Sequence, residues 1–200
     1  MRFAESINDA IALLETIGSP SHNVLHARGV VDLALNICAF YDADPEVVEI
    51  ACWWHDTGWV ESVKSHELLS ASLAYENLLF HGFNRQTACS VYDAIRFHRV
   101  NSIPKTLEGR IVRDADKLDL ISVPRWQQSS EFKARGLIEN LDDRKHAIKI
   151  IPRMRNGILS LEKSKIIFDH MIGVFLDFLS TSSDPEIKSC FNELISSATL

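Results

Sequence analysis

The sequence predicts an all-α protein, a compact bundle of many helices. Three observations carry that expectation. Apolar residues recur at helical spacing in segment after segment along the 200-residue chain. No strictly alternating stretch is long enough to nucleate a sheet. The eight glycines stand singly and prolines number only six, so few positions break a helix.

The elements follow in order. Residues 3–17 form an amphipathic helix with Ile7, Ile11, Leu14 and Ile17 on one side. Residues 22–41 are apolar over a wide arc (Val24, Ala27, Val30, Val31, Leu33, Ala34, Ile37, Cys38), as in a central, mostly buried helix. A third helix takes Asp44 as N-cap and Pro45 in its first turn, and stops near Gly58. Further helices are expected over 66–81, 85–99, 107–121, 143–156, 164–180 and 185–198, the last with the start signal Asp184-Pro185. The segment STSSDP at 180–185 is the one linker candidate, so a single domain over 1–200 is expected.

Composition narrows the function. A net charge of -6 argues against a protein that coats nucleic-acid phosphates. The start MRFAESIND lacks the apolar core of a signal peptide, and the greasy run IIFDHMIGVFLDFL carries two aspartates and a histidine, too polar and short for a bilayer. Cys38, Cys52, Cys89 and Cys190 form no CxxC pair, so a zinc ribbon or disulfide framework is not suggested, and a reduced, cytoplasmic protein is expected. Neither a Gly-rich phosphate loop nor a G-x-S-x-G nucleophile elbow occurs.

The eight histidines are the informative feature. His26 shares a stripe with Val30, Leu33 and Ile37, and His98 shares one with Ala88, Val91 and Ile95. Asp116 lies beside Ala115 and four residues beyond Val112, near the core side of its helix. Burying an unpaired carboxylate is costly, and a metal, a cation or dense hydrogen bonding is the usual escape. Groups on separate helices could converge as metal sites in bundles do, or form a satisfied polar network. His55-Asp56, in WWHDTGW, sits at a helix end before Gly58, where imidazole and carboxylate can reach one ion.

In order, His26, His55-Asp56, His66 in SHELLSASLA, His98 in IRFHR and Asp116 in RDADKLD resemble the HD superfamily of metal-dependent phosphohydrolases, over roughly residues 20–125. The pattern is most similar to that of small bacterial HD proteins. The resemblance implies an HD-type bundle with its metal site between central helices, a core at about 20–125 and a helical flank at 126–200. It implies that His26, His55, Asp56 and Asp116 bind one divalent ion. His66 and His98 would complete a second site or bind phosphate, with Asp56 bridging. Imidazole and carboxylate without thiolate suit Mn, Fe, Ni, Zn or, less comfortably, Mg, one or two per chain. The implied reaction is attack on a phosphorylated metabolite, such as a nucleotide, by a metal-activated water.

Around that set, Glu67 and Asp119 are candidates for acid/base work or for orienting a ligating imidazole. Glu67 could equally be a first-turn carboxylate favoured by the helix dipole. Lys64, Arg99 and Arg113 are candidate phosphate contacts, set against solvated or surface-paired alternatives. Segment 96–117 carries six basic and three acidic residues, a local +3 that leaves -9 elsewhere and would draw in an anion. Three departures stand out. Trp59 replaces the lysine of HDIGK branches, the GYP signature is absent, and LISVPRW replaces a Gly-Ala stretch after DADKLD. Trp53, Trp54, Trp59 and Trp126 read as packing before base stacking. His22 reads as a surface neighbour of His26, His81 as a helix-end cation, and His146 and His170 as structural or exposed. The competing functions are a di-iron oxygenase and a non-catalytic ligand-binding domain. No membrane partner is expected, and the flank 126–200 could wall the pocket or form a homodimer face.

Overall fold

A computed structural model of the chain describes residues 2–61 and 64–197, the side chains of Asp142 and Asp143 excepted. Among these residues there are ten α-helices and no strand. By packing the chain divides into two compact units, Met1–Asp116 and Lys117–Leu200. No described helix is long and apolar enough to cross a membrane.

The first unit holds α1 (Arg2–Ile17), α2 (Val24–Cys38), α3 (Pro45–Trp54), α4 (His66–Phe80), α5 (Arg85–Arg96) and most of α6 (Leu107–Leu118). Its starts follow capping chemistry. The Asn23 side chain accepts the His26 N–H at 3.1 Å, Asp44 accepts those of Glu46 and Val47, and Asn84 accepts that of Thr87. Pro45 occupies the first turn of α3, where a missing N–H costs nothing. At the end of α4, Gly82 takes φ +78 and lets the Phe83 N–H return to the Leu78 carbonyl, closing the helix. α3 packs against α2 and α5, α4 against α5, and α1 against α3. The core between them is apolar: Val30, Ala34, Ile37, Val48, Ile50, Ala71, Leu78, Val91 and Ile95 are fully buried. Burial of a Val, Leu or Ile side chain contributes roughly 1.5–3 kcal/mol, so this stripe fixes the helices that carry the site.

The expected bounds shift here in one consequential way. α3 ends at Trp54 rather than near Gly58, and the chain tightens into a short 3₁₀ turn, Thr57–Val60. His55 and Asp56 therefore stand between two helical segments. α2 and α5 also end earlier than expected, at Cys38 and Arg96.

The second unit carries α7 (Val123–Ala134), α8 (Asp142–Ile150), α9 (Glu162–Thr181) and α10 (Pro185–Ser197). Helix α7 was not expected, because VPRWQQSSEFKA has little apolar periodicity. Trp126 anchors it: fully buried, it donates Nε1–H to the Leu120 carbonyl at 2.9 Å and meets Phe175 of α9 edge-on. The helix expected over 143–156 ends at Ile150, just before Pro152, which lacks the N–H an α-helix needs; Pro152 sits inside a 3₁₀ turn, Ile151–Arg153, and a wider π turn, Met154–Ile158, follows. α10 starts as expected, with Asp184 accepting the Glu186 N–H at 2.8 Å. The expected last residue of that helix, Ala198, lies outside the described residues.

Candidate metal centre

Local folding sets the site. Past the end of α3, Asp56 takes φ -110 and ψ 4, outside the helical region, so its side chain need not follow helical rotation. The Thr57 hydroxyl donates to the Trp54 carbonyl, and the Gly58 N–H donates to Ser70 Oγ at 2.8 Å. The start of α4 thus lies directly on Gly58. A Cβ there would collide with the His66 carbonyl oxygen and lie 2.8 Å from the Ser70 nitrogen, both backbone. That closeness brings His66 to Asp56. Gly58→Ala is accordingly expected to destabilise the protein by about 2 kcal/mol and to weaken metal binding with it. Thermal melts and a metal titration check this; an unchanged melting temperature contradicts the close-approach argument.

Six predicted side chains converge, and Asp56 stands between two groups of them. On one side, His26 Nε2 and His55 Nε2 face each other at 3.1 Å. Asp56 Oδ2 lies 3.2 and 3.3 Å from them, and Asp116 Oδ1 lies 3.5 and 3.9 Å away. On the other side, His66 Nε2 and His98 Nε2 face each other at 3.2 Å, with Asp56 Oδ1 at 3.5 and 3.6 Å. All six are buried.

The outer nitrogens explain why the inner ones matter. His55 Nδ1–H donates to the Cys52 carbonyl at 2.7 Å and His98 Nδ1–H to that of Ile95 at 2.8 Å. A carbonyl only accepts, so both rings carry a proton outward and, when neutral, turn a lone pair inward. Each imidazole pair then needs a proton or a cation between its Nε2 atoms. Such outward bonds are also what holds a ligating histidine in orientation.

Electrostatics split the imidazoles. Burial opposes charge on His55, but the Asp56 and Asp116 carboxylates outweigh it and lift its pKa to about 9. Burial also works against the Asp56 carboxylate, yet the His55 and His22 rings hold it well below the ordinary range. For His66 burial wins, with help from His98 against the pull of Asp56, and the pKa falls to about 4.

The remaining candidates divide. Glu67 Oε2 lies 3.9 Å from His66 Nδ1 and 3.4 Å from the Arg99 guanidinium. Arg99 is 47% exposed and also donates to the Lys64 carbonyl at 3.0 Å; the Lys64 side chain points into solvent. Arg113 is buried, donating to the Ser102 carbonyl at 2.9 Å with Asp114 at 3.5 Å. Asp119, in the second unit, accepts from Arg125 at 2.8 Å. Trp53 and Trp54 are buried packing residues, and Trp54 donates to Ser6. His81 pairs with Asp9 at the end of α4, while His146 and His170 are exposed.

His22 corrects the sequence reading. Far from a surface neighbour, it donates Nδ1–H to Asp56 Oδ2 at 2.6 Å, with three quarters of its side chain covered. Its ring stacks on Trp59 at 4.1 Å, and Trp59 also stacks on His66 at 4.8 Å. The signal for it is the four-residue spacing from His26, but the helix begins only at Val24, so helical spacing does not place His22.

Among the described residues, three groups of donors are close enough to share an ion: His26, His55 and Asp116; Asp56, His66 and His98; and His22, His26 and Asp56. The all-nitrogen and oxygen donor set, buried and facing inward, fits divalent Mn, Fe, Ni or Zn. Helical scaffold and donors together give a protein with buried His/Asp clusters that could hold a divalent ion. Residues 24–121 match the HD domain family, and the chain is an HD-domain protein. "Uncharacterized protein YpgQ" of Bacillus subtilis (strain 168) is 32% identical over 127 residues, 60% of this chain; the match spans 62% of that relative's length. A predicted HD superfamily hydrolase from an uncultured Thermotogales bacterium shares the fold at TM-score 0.68 and 21% identity, with 88% of each chain covered. B. subtilis YpgQ in complex with ADP shares it at TM-score 0.64 and 24% identity, covering 94% of this chain and all of the other.

Proposed function

We propose that this protein is a metal-dependent phosphohydrolase acting on small phosphorylated metabolites, nucleotides first among them. The observation that carries the reading is the pair of inward-facing imidazole couples sharing one carboxylate. His26, His55, Asp56 Oδ2 and Asp116 would hold one ion, and Asp56 Oδ1, His66 and His98 a second. Bound there, divalent ions would polarise a phosphoryl group and bring the pKa of a water toward neutrality. Arg99, the exposed cation beside Glu67 and His66, binds a phosphate oxygen; the Glu67 carboxylate, 3.9 Å from His66 Nδ1, is too far to hydrogen-bond the ring and acts on it only through its charge. The complex of YpgQ with ADP supports a nucleotide as the first substrate class to try.

The test is a panel of nucleotides and sugar phosphates with Mn, Fe(II), Ni, Zn or Mg, reading orthophosphate, pyrophosphate and nucleoside. Metal-dependent release from at least one substrate is expected, and Arg99→Ala should raise its KM about tenfold, the scale of a lost charge-assisted hydrogen bond. No release with any ion overturns the reading. Four imidazoles with two carboxylates also suit a pair of irons, so oxygen uptake with Fe(II) and no phosphate release would instead identify an oxygenase. Nucleotide-induced thermal shifts without either activity would identify a binding domain.

A further inference from the structure

The residue that nothing in the signature assigns is His22, and it makes the shortest polar contact at the centre. A carboxylate oxygen has two lone pairs, so Asp56 Oδ2 can accept the His22 N–H at 2.6 Å and still face the His26–His55 couple. The consequence is rotational. With Oδ2 tied from the α2 side, the carboxylate plane is set so that Oδ1 points at the other couple, His66 and His98. Without that tie, a carboxylate beyond a helix end has a broad torsional well and can swing away from one couple.

His22 is itself built in. Its N–H and that of Ser21 both donate to Ser19 Oγ, at 3.1 and 3.3 Å, while the Asn23 amide donates to the Pro20 carbonyl at 2.9 Å. The ring lies nearly parallel to Trp59, 16° between planes and 4.1 Å between centroids, so it cannot turn without unstacking. Trp59 stands on the turn immediately after Asp56, and the HDIGK branches carry lysine there. Here that position supports a histidine instead.

We infer that His22, held by Trp59, is the positioning residue that keeps Asp56 bridging the two imidazole couples, and that occupancy of the His66–His98 site depends on it. This rests on the metal-centre reading above. The dependence is unequal for a simple reason. The His26–His55 side keeps three donors if Asp56 rotates away, whereas the His66–His98 side keeps two.

Metal binding tests this without any substrate. Mn(II) is titrated into chelator-treated full-length protein, with ions per chain counted by electron paramagnetic resonance and affinities read by calorimetry, for the parent, His22→Ala, His22→Asn and Trp59→Ala. The parent is expected to bind two ions. His22→Ala should keep the first within a few fold and lose about 10–100-fold in affinity for the second, the usual effect of removing a group that orients a ligand. Asparagine places an N–H close to where the imidazole Nδ1 has it, so His22→Asn should recover the second ion to within about threefold, and Trp59→Ala should fall between. Parent-like binding by His22→Ala overturns the inference. Equal losses in His22→Ala and His22→Asn overturn it too, because the imidazole would then be a ligand itself. Should His22→Ala fail to fold, judged by circular dichroism of the ion-free protein, Trp59→Ala decides, with parent-like binding counting against the clamp. A parent that binds no ion removes the metal-centre reading instead.

Discussion

Asp56→Ala is expected to eliminate metal-dependent turnover, a loss of at least about a thousandfold, equivalent to roughly 4 kcal/mol of transition-state stabilisation. The reason is positional. Asp56 contributes to both imidazole couples, with Oδ2 on the His26–His55 side and Oδ1 on the His66–His98 side. Its removal leaves three donors for one ion and two imidazoles for the other. Deleting one partner of a buried ion pair commonly costs about 3–5 kcal/mol because a charge is stranded. Here the stranded group can escape: with the carboxylate gone, the main force lifting the His55 pKa goes too, and the ring sheds its proton. The variant should therefore fold and melt as a single cooperative unit while binding at most one ion weakly. Asp56→Asn separates shape from charge, since the amide keeps one oxygen donor and the volume but cannot bridge as an anion. Turnover assays beside an ion count decide the matter; two ions on Asp56→Ala, or turnover within tenfold of the parent, would rule out the shared-carboxylate account.

Three of the six candidate donors, His26, His98 and Asp116, were legible in the sequence because each sits in a segment whose own chemistry places it. His26 and His98 lie on stripes with residues that are fully buried, Val30 and Ile37 in one case, Val91 and Ile95 in the other. Periodicity alone therefore turned both rings inward. Asp116 followed from Val112 and Ala115 in the same way. His55-Asp56 was legible only as a motif. Helical rotation predicts adjacent side chains about 100° apart, and what brings them together is the break after Trp54. Gly58 was visible as a helix stop, but its close approach to the His66 and Ser70 backbone is a tertiary fact.

What the pattern missed has physical causes of the same kind. His22 precedes the N-cap Asn23, and a residue outside a helix takes its direction from turn hydrogen bonds rather than from periodicity. α7 hides because the face it buries is mostly polar, Arg125 and Ser129 beside Trp126, so no apolar stripe marks it. The candidate phosphate contacts show the limit of reading charge along a chain. Arg99 is exposed beside Glu67, whereas Arg113, three residues before Asp116, turns inward to the Ser102 carbonyl. The surface-paired alternative to a phosphate contact does not describe Arg113, which is buried with Asp114 beside it. Nor does charge patterning announce a division of the chain at Asp116, which falls inside α6.

The ion-free protein is expected to be most stable near pH 6.5 and to weaken on both sides, with a divalent ion removing the alkaline loss. His55 has a folded pKa of about 9 against an ordinary value of 6.5. A raised pKa stabilises fully below the unfolded value, and that stabilisation disappears as pH climbs from 6.5 through 9. The amount is on the order of 3 kcal/mol. His66 runs the other way. Its folded pKa is about 4, so the unfolded chain takes up its proton first, and stability falls as pH drops from 6.5 through 4. The depressed Asp56 carboxylate steepens the acid side. A divalent ion in the His26–His55 couple replaces the proton that His55 holds, so binding below pH 9 releases about one proton. Apparent affinity should then tighten about tenfold per pH unit from 7 to 9 and level off above. At a hundredfold excess over Kd, the ion adds about 2.7 kcal/mol, so the rise in melting temperature on adding Mn(II) should be larger at pH 8.5 than at pH 6.5. Calorimetric titrations in buffers of different ionisation enthalpy count the proton, and melts in chelator from pH 4 to 9 trace the two limbs. A flat melting temperature in chelator between pH 6.5 and 9, or ion binding without proton release at pH 7.5, would show that no proton sits between the facing imidazoles, and the electrostatic account of the centre would fail with it.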